Sequence, residues 1–209
     1  MGLLALFALT QLSWAQFSFY LIDNFEDGNY NEGTKWWHFG DLKMEVVKNP
    51  SLEARDLIAE SCGVYALNLK GETRDWYIGG IGTYLGIDAS PYSRLQIDVS
   101  GDGLNSGRLV IELYDDDNGN YAIEKDAKTH LPLCDDKWVA EINILGKGFT
   151  RYSIPFTAFH CVNPGIGDGL WNPDQLRGSG GLVEMQLIAI ADRQAGKVDL
   201  KIDNLILTY

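Results

Sequence analysis

The chain has 209 residues, with 29 acidic against 17 basic side chains and a formal net charge of −12. That length suits one domain with a sizeable core. The acidic balance argues against a nucleic-acid or anionic-membrane partner, because phosphate binding needs a basic patch, whereas an acidic surface suits neutral ligands and divalent cations.

Met1 to Leu12 form an almost uncharged apolar stretch too short to cross a bilayer, and Ser13-Trp14-Ala15 then supplies the small residues a signal peptidase reads. Cleavage after Ala15 is expected. It would leave residues 16–209 as one exported domain that does not insert into a membrane. The basic residues that normally precede such a stretch are absent, which leaves an uncleaved anchor or a different start site open.

Beyond the leader the chain alternates with a period of two, and sustained helical periodicity is hard to find. An apolar run broken by acids, Leu21-Ile22-Asp23-Asn24-Phe25-Glu26-Asp27-Gly28, comes first. Candidate strands follow at Lys43–Lys48, Val64–Lys70, Arg94–Val99, Leu109–Tyr114, Tyr121–Lys125, Trp138–Ile142, Phe149–Ile154, Val183–Ala191 and Lys197–Leu207. Turn signals such as Gly101-Asp102-Gly103, Asn118-Gly119 and Gly178-Ser179-Gly180-Gly181 separate them. Ser51–Ser61 is the one stretch that suits a helical turn.

Parity sorts the faces of these strands. Leu95, Ile97 and Val99 share one side, opposite Gln96 and Asp98; Leu109, Ile111 and Leu113 share one side, opposite Glu112 and Tyr114. Glu184 and Gln186 join the polar set. If the strands lie in one sheet, this set makes either a ligand face or an ordinary solvated face. Trp36-Trp37, Trp76-Tyr77, Tyr121, Trp138 and Trp171 add aromatics beside loops and strand ends. Trp37 and Trp138 read as core; Tyr114, Tyr121, Trp76 and Trp171 read as groove. Aromatic planes beside carboxylates and amides suit pyranoses, whose C–H faces pack on rings while their hydroxyls need bidentate partners.

Asp115-Asp116-Asp117-Asn118-Gly119-Asn120 lacks the spacing and the closing Glu of an EF-hand. It reads as a hairpin turn with an acidic rim on which a second cation could sit. His38, His130 and His160 are isolated, no nucleophile elbow or phosphate loop is present, and nothing selects an acid pair for glycoside hydrolysis, so no enzyme is expected. Cys62, Cys134 and Cys161 have no metal-binding spacing; export favours one disulfide with a thiol left over, and three buried thiols is the other reading.

The last run, Val198 to Leu207, matches the first in being apolar and interrupted by acids, here Asp199 and Asp203. An ionised carboxylate within a core strand is costly unless it is paired or bound to a metal. The two ends are therefore expected to lie side by side around a shared cation. With Trp36-Trp37, the central strands, Ser153-Ile154-Pro155-Phe156 and the closing Ile202-Asp203-Asn204-Leu205, the chain resembles the galactose-binding-like jelly rolls, most closely carbohydrate-binding module family 11 and its relatives. The resemblance implies an all-β, two-sheet antiparallel jelly-roll sandwich that holds an extended glucan on a concave face. It also implies structural calcium, with Glu26 and Asp203 as side-chain ligands and Asp23 as a third.

Taken together, these expectations give a noncatalytic, secreted or cell-envelope protein whose partner is a polysaccharide or oligosaccharide of the β-glucan kind. Gln96, Asp98, Glu112, Tyr114, Tyr121, Gln186, Trp76 and Trp171 are its expected ligand-binding residues. The alternative is a structural envelope or filament-coat protein that associates with copies of itself.

Overall fold

The computed structural model describes residues 19–49, 63–103, 106–144 and 146–209. The leader, the Ser51–Ser61 stretch and Cys62 lie outside the described residues. Strands dominate: β1 Tyr20–Asp23, β2 Trp36–Gly40, β3 Lys43–Lys48, β4 Tyr65–Glu72, β5 Tyr77–Ile87, β6 Arg94–Asp102, β7 Arg108–Asp116, β8 Asp136–Asn143, β9 Lys147–Pro155, β10 His160–Cys161, β11 Gly181–Ile190 and β12 Lys197–Thr208. They form two six-stranded antiparallel sheets. The first runs β3-β4-β12-β6-β9 with β1 also on β12, and the second runs β10-β8-β7-β11-β5-β2. This is the expected two-sheet jelly-roll sandwich.

Alternation drives the packing. Leu95, Ile97 and Val99 of the first sheet and Leu109, Ile111, Leu113, Met185 and Leu187 of the second are all buried in one core. Burying each such side chain contributes roughly 1.5–3 kcal/mol. Trp138 packs against this core as expected, edge-on to Trp171.

The terminal runs do lie side by side. Tyr20 pairs with Leu207 and Leu21 with Ile206. On the same edge, residues 197–202 of β12 pair with β4 instead. The partner of β12 therefore changes from β4 to β1 at Asp203-Asn204, where the register with β6 also slips and Asn204 adopts a φ of 46°.

Two expectations change. β6 and β7 do not share a sheet, because the connection between them carries the chain from one layer to the other. Tyr121–Lys125 is not a strand; β7 pairs with β8 and β11, leaving no free edge for a hairpin there. The Asp116 carboxylate instead wraps the turn, accepting the N–H groups of Asn118, Gly119 and Tyr121.

Candidate functional site

Cross-strand register builds the outer face of the second sheet from three rows. Tyr84, Glu184, Tyr114 and Lys137 make the first; Trp37, Gly82, Gln186, Glu112 and Val139 the second; Phe39, Gly80, Ile188, Val110 and Glu141 the third. A groove of about 600 Å³ crosses this face. Its floor includes Glu112, Tyr114, Gln186 and Ile188, with Phe39 and Tyr77 on one side. Lys125, Thr129, His130 and Leu131, from the connection between β7 and β8, rise on the other.

Polar groups on the floor form paired networks. Tyr114 Oη donates to Glu112 Oε2 at 2.7 Å, and Lys137 Nζ meets Glu112 Oε1 at 2.6 Å. Lys125 and the Gln186 amide both donate to Glu184 Oε1. Lys125 Nζ also lies 4.4 Å from the centre of the Tyr114 ring, within reach of a cation–π contact. Burial and the neighbouring Glu112 push the Tyr114 phenol far above its usual range, so it stays a neutral donor. Two carboxylates and two ammonium groups cancel, leaving a floor that is polar without net charge.

Tyr114 is accordingly no stacking platform: it is 2% exposed and covered by Lys125. The open rings are others. Trp37, expected in the core, is 39% exposed, whereas its neighbour Trp36 is buried at 4%. Trp37 lies flat across the strand beside it, since a β carbon on Gly82 would sit 2.5 Å from Trp37 Cζ2. Phe39 covers Gly80 in the same way, with its Cζ 2.5 Å from the position of a β carbon there. Glycine at 80 and 82 thus lets two aromatic rings lie down on the sheet.

The remaining expected ligand residues scatter. Gln96 and Asp98 stand on the opposite sheet, Gln96 beside Ser153 and Asp98 fully buried in a two-pronged bond with Arg151, at 2.8 Å to each oxygen. Trp171 is half-buried against Phe156 and Trp138, a core position. Trp76 and Tyr121 are exposed but line other ground; Trp76 immediately precedes Tyr77, and the Tyr121 carbonyl accepts the Tyr84 hydroxyl. Only Glu112, Tyr114 and Gln186 of the expected set meet at the groove.

At the switch in β12, acids fill the gap between β1 and β4. Asp203 is fully buried, accepting the Asn204 N–H at 2.7 Å and the Gly63 N–H at 3.1 Å. Glu26 accepts the Tyr65 N–H at 3.0 Å from the other side. Burial, Asp98 and Glu26 push the Asp203 carboxyl up to about 7. Among the described residues no lysine or arginine forms an ion pair with Glu26 or Asp203. Two carboxylates without a cationic partner are hard oxygen donors of the kind calcium takes. Asp23 differs: its oxygens accept the Phe25 N–H and the Trp36 indole N–H, each at 2.8 Å. It closes the turn after β1 and anchors a core tryptophan, with neither oxygen left unoccupied.

No protein-family model and no curated protein matches the chain. Solved structures do. The family 11 carbohydrate-binding module of the cellulosomal cellulase Lic26A-Cel5E of Clostridium thermocellum is 12% identical, with a TM-score of 0.57 over 92% of this chain and 95% of that module. The family 11 module from Clostridium thermocellum in complex with a β-1,3-1,4-mixed-linked tetrasaccharide is 15% identical, with a TM-score of 0.56 over 91% and 95%. The solution structure of CtCBM11 is 17% identical, with a TM-score of 0.53 over 93% and 97%. At these identities the likeness speaks for architecture: the chain has the two-sheet jelly-roll fold of the family 11 modules.

Proposed function

We propose that the outer face of the second sheet binds an extended neutral polysaccharide, of the β-glucan kind, in an exported, noncatalytic protein. The observation that carries this reading is the pair of rings lying over Gly82 and Gly80 beside a polar floor without net charge. A pyranose packs its C–H face on a ring, and its hydroxyls exchange bonds with Gln186, the two glutamates and the two lysines. Because the glutamates and lysines already hold one another, little is spent on ordering them when a sugar arrives. Both glutamates are clasped by a lysine, an arrangement for binding rather than for delivering a proton to a leaving group. The fold shared with a module solved on a mixed-linked β-glucan oligosaccharide supports the choice of ligand.

Affinity electrophoresis through gels containing a panel of polysaccharides tests the reading. Mixed-linked β-glucan should retard the protein, with affinity of roughly micromolar or weaker, since each sugar contact replaces a good water contact. Failure to bind any glycan, together with ordered self-assembly, would favour the coat-protein alternative.

The calcium reading concerns stability rather than ligand choice. Glu26 and Asp203 would hold the ion, and its charge would offset two acids that otherwise repel each other in the gap between β1 and β4. A ligand bound only by the native state raises the melting temperature. Thorough chelation should therefore lower it, and an unchanged melt would remove this ion.

A further inference from the structure

The connection between β7 and β8 carries its own small hairpin, residues 124–133, laid along the groove. The Leu133 N–H bonds to the Glu124 carbonyl at 2.8 Å and the Asp126 N–H to the Leu131 carbonyl at 2.9 Å, while the His130 N–H closes the turn on the Asp126 carbonyl at 2.9 Å. The Asp126 carboxylate accepts the Lys128 and Thr129 N–H groups at 2.9 and 2.8 Å. The hairpin is therefore held in shape by its own bonds. Its roots are held too. Asp116 wraps one through the N–H groups of Asn118, Gly119 and Tyr121, and the buried Asp135 fixes the other, its carbonyl accepting the Asn163 amide at 2.8 Å.

Its hold on the sheet is slighter. Among the described residues one hydrogen bond joins this hairpin to a strand, from Lys125 Nζ to Glu184 Oε1 on β11, and the same ammonium sits 4.4 Å from the centre of the Tyr114 ring. Within residues 124–133 Pro132 alone is buried, and Leu131 and Leu133 stand open at 42% and 55%. A self-contained segment with few buried apolar contacts and one latch opens more readily than the strands beneath it. What the latch covers is an aromatic ring whose hydroxyl is already satisfied by Glu112. Tyr114 shares a row with the exposed Tyr84, each being the neighbour of Glu184 on one side of β11. Their backbones therefore stand two strand spacings apart, roughly 10 Å.

We propose that residues 124–133 form a strap, latched shut over Tyr114 by Lys125 on Glu184, that lifts as one piece from the sheet. Shut, it confines the groove to the second and third rows of the face. Lifted, it adds the Tyr114 ring to that of Tyr84 in the first row. Glu124 accepts the Asn118 and Asn120 amides, which keeps the base of the strap at its root while the tip, Thr129 to Leu131, swings. Opening separates a partly buried ion pair and uncovers one ring, a change that a long ligand offsets by stacking on Tyr114 and a short one does not. The strap itself needs no ligand; its use by a polysaccharide rests on the reading given above.

Hydroxyl-radical footprinting of the full chain, read by peptide mass spectrometry, reports the exposure of each tyrosine ring whatever the ionisation of its phenol. Glu184→Gln removes the charge that holds the latch but leaves Lys125 in place, so it uncovers Tyr114 only by letting the strap move. Oxidation of Tyr114 relative to the exposed Tyr84 should rise about fivefold or more in this variant. Lys125→Arg, which keeps both the ion pair and the contact with the ring, should leave Tyr114 as protected as in the wild type. Tyr30 and Tyr92, packed against the core, should stay protected throughout. Equal protection of Tyr114 in Glu184→Gln and the wild type would overturn the strap. So would oxidation of Tyr30 and Tyr92 together with Tyr114, which would mean that Glu184 supports the sheet itself. Because no sugar enters the measurement, its failure leaves the glycan reading standing, and failure of the glycan reading leaves the strap.

Discussion

Trp36 and Trp37 stand next to each other in one strand and therefore point to opposite faces, one into the core and one onto the outer face of the second sheet. Their alanine variants should separate stability from binding. Trp36→Ala should cost roughly 3–5 kcal/mol in urea unfolding, as a deleted buried aromatic does. Trp37→Ala should shift unfolding by less than about 1 kcal/mol while abolishing retardation in glucan gels, because its loss removes a surface contact. Gly82→Ala makes the complementary change: the new methyl would occupy the space of the Trp37 ring and lift it, so retardation should weaken while Trp37 itself remains. Unaltered retardation would show that the flat ring contributes nothing.

The same pair shows what can be read from residues alone. Adjacent aromatics in a strand must divide between faces, so the sequence contained the signal that one tryptophan is exposed; assigning Trp37 to the core overlooked it. Glu112, Tyr114 and Gln186 were found by parity and do share the groove. Parity could not say that Lys125, from the irregular connection after β7, would lie across Tyr114 and close it to stacking.

Among elements, the strands with regular alternation were legible, and the pairing of β1 with β12 was expected from their acid-broken runs. β5 was not among the expected strands: Gly79, Gly80 and Gly82 break its alternation, yet the last two are where rings from β2 lie against the sheet. Neither could sequence tell that β6 and β7 belong to different layers, since short connections serve hairpins and crossings alike. That change of layer gives Asp98 a structural task, joining β6 to β9 through Arg151 and to β12 through the Asn204 amide at 3.0 Å. Arg151→Met should destabilise the protein by roughly 2–3 kcal/mol, somewhat under the cost of breaking a wholly buried pair because the guanidinium is partly exposed. A change below about 0.5 kcal/mol in urea unfolding would deny Asp98 that task.

Across the whole molecule most acids lie at the surface, but among the described residues Asp98, Glu112, Asp115, Asp116, Asp135, Asp136 and Asp203 are buried. Burial, Asp117 and Asp136 push Asp115 up to about 8. Burial, with Asp116, Glu124 and Asp117 nearby, pushes Asp135 to about 7, and burial, with Asp98 and Glu26 nearby, pushes Asp203 to about 7. The folded state without ions therefore holds protons more tightly than the unfolded chain, whose aspartates titrate near 3.8. The stability linked to those protons is complete below about pH 4 and is lost as pH rises through 7 and 8. In chelator, the melting midpoint should fall between pH 6 and pH 9. Saturating calcium should flatten the part of that fall that comes from Asp203, by replacing its proton with a bound ion. A chelated midpoint that does not change over this range would contradict the burial of these acids.

The proposed binding face rests on exposed Trp37 and half-buried Phe39 lying across the sheet beside a neutral polar floor, and a titration of mixed-linked β-glucan oligosaccharide followed by calorimetry reaches that claim most directly. The wild-type protein should bind with measurable heat, Trp37→Ala and Phe39→Ala should each lose about tenfold in affinity or more, and Gln96→Ala, on the opposite sheet, should bind as the wild type does. Equal binding by all four proteins, or loss with Gln96→Ala alone, would place the ligand elsewhere.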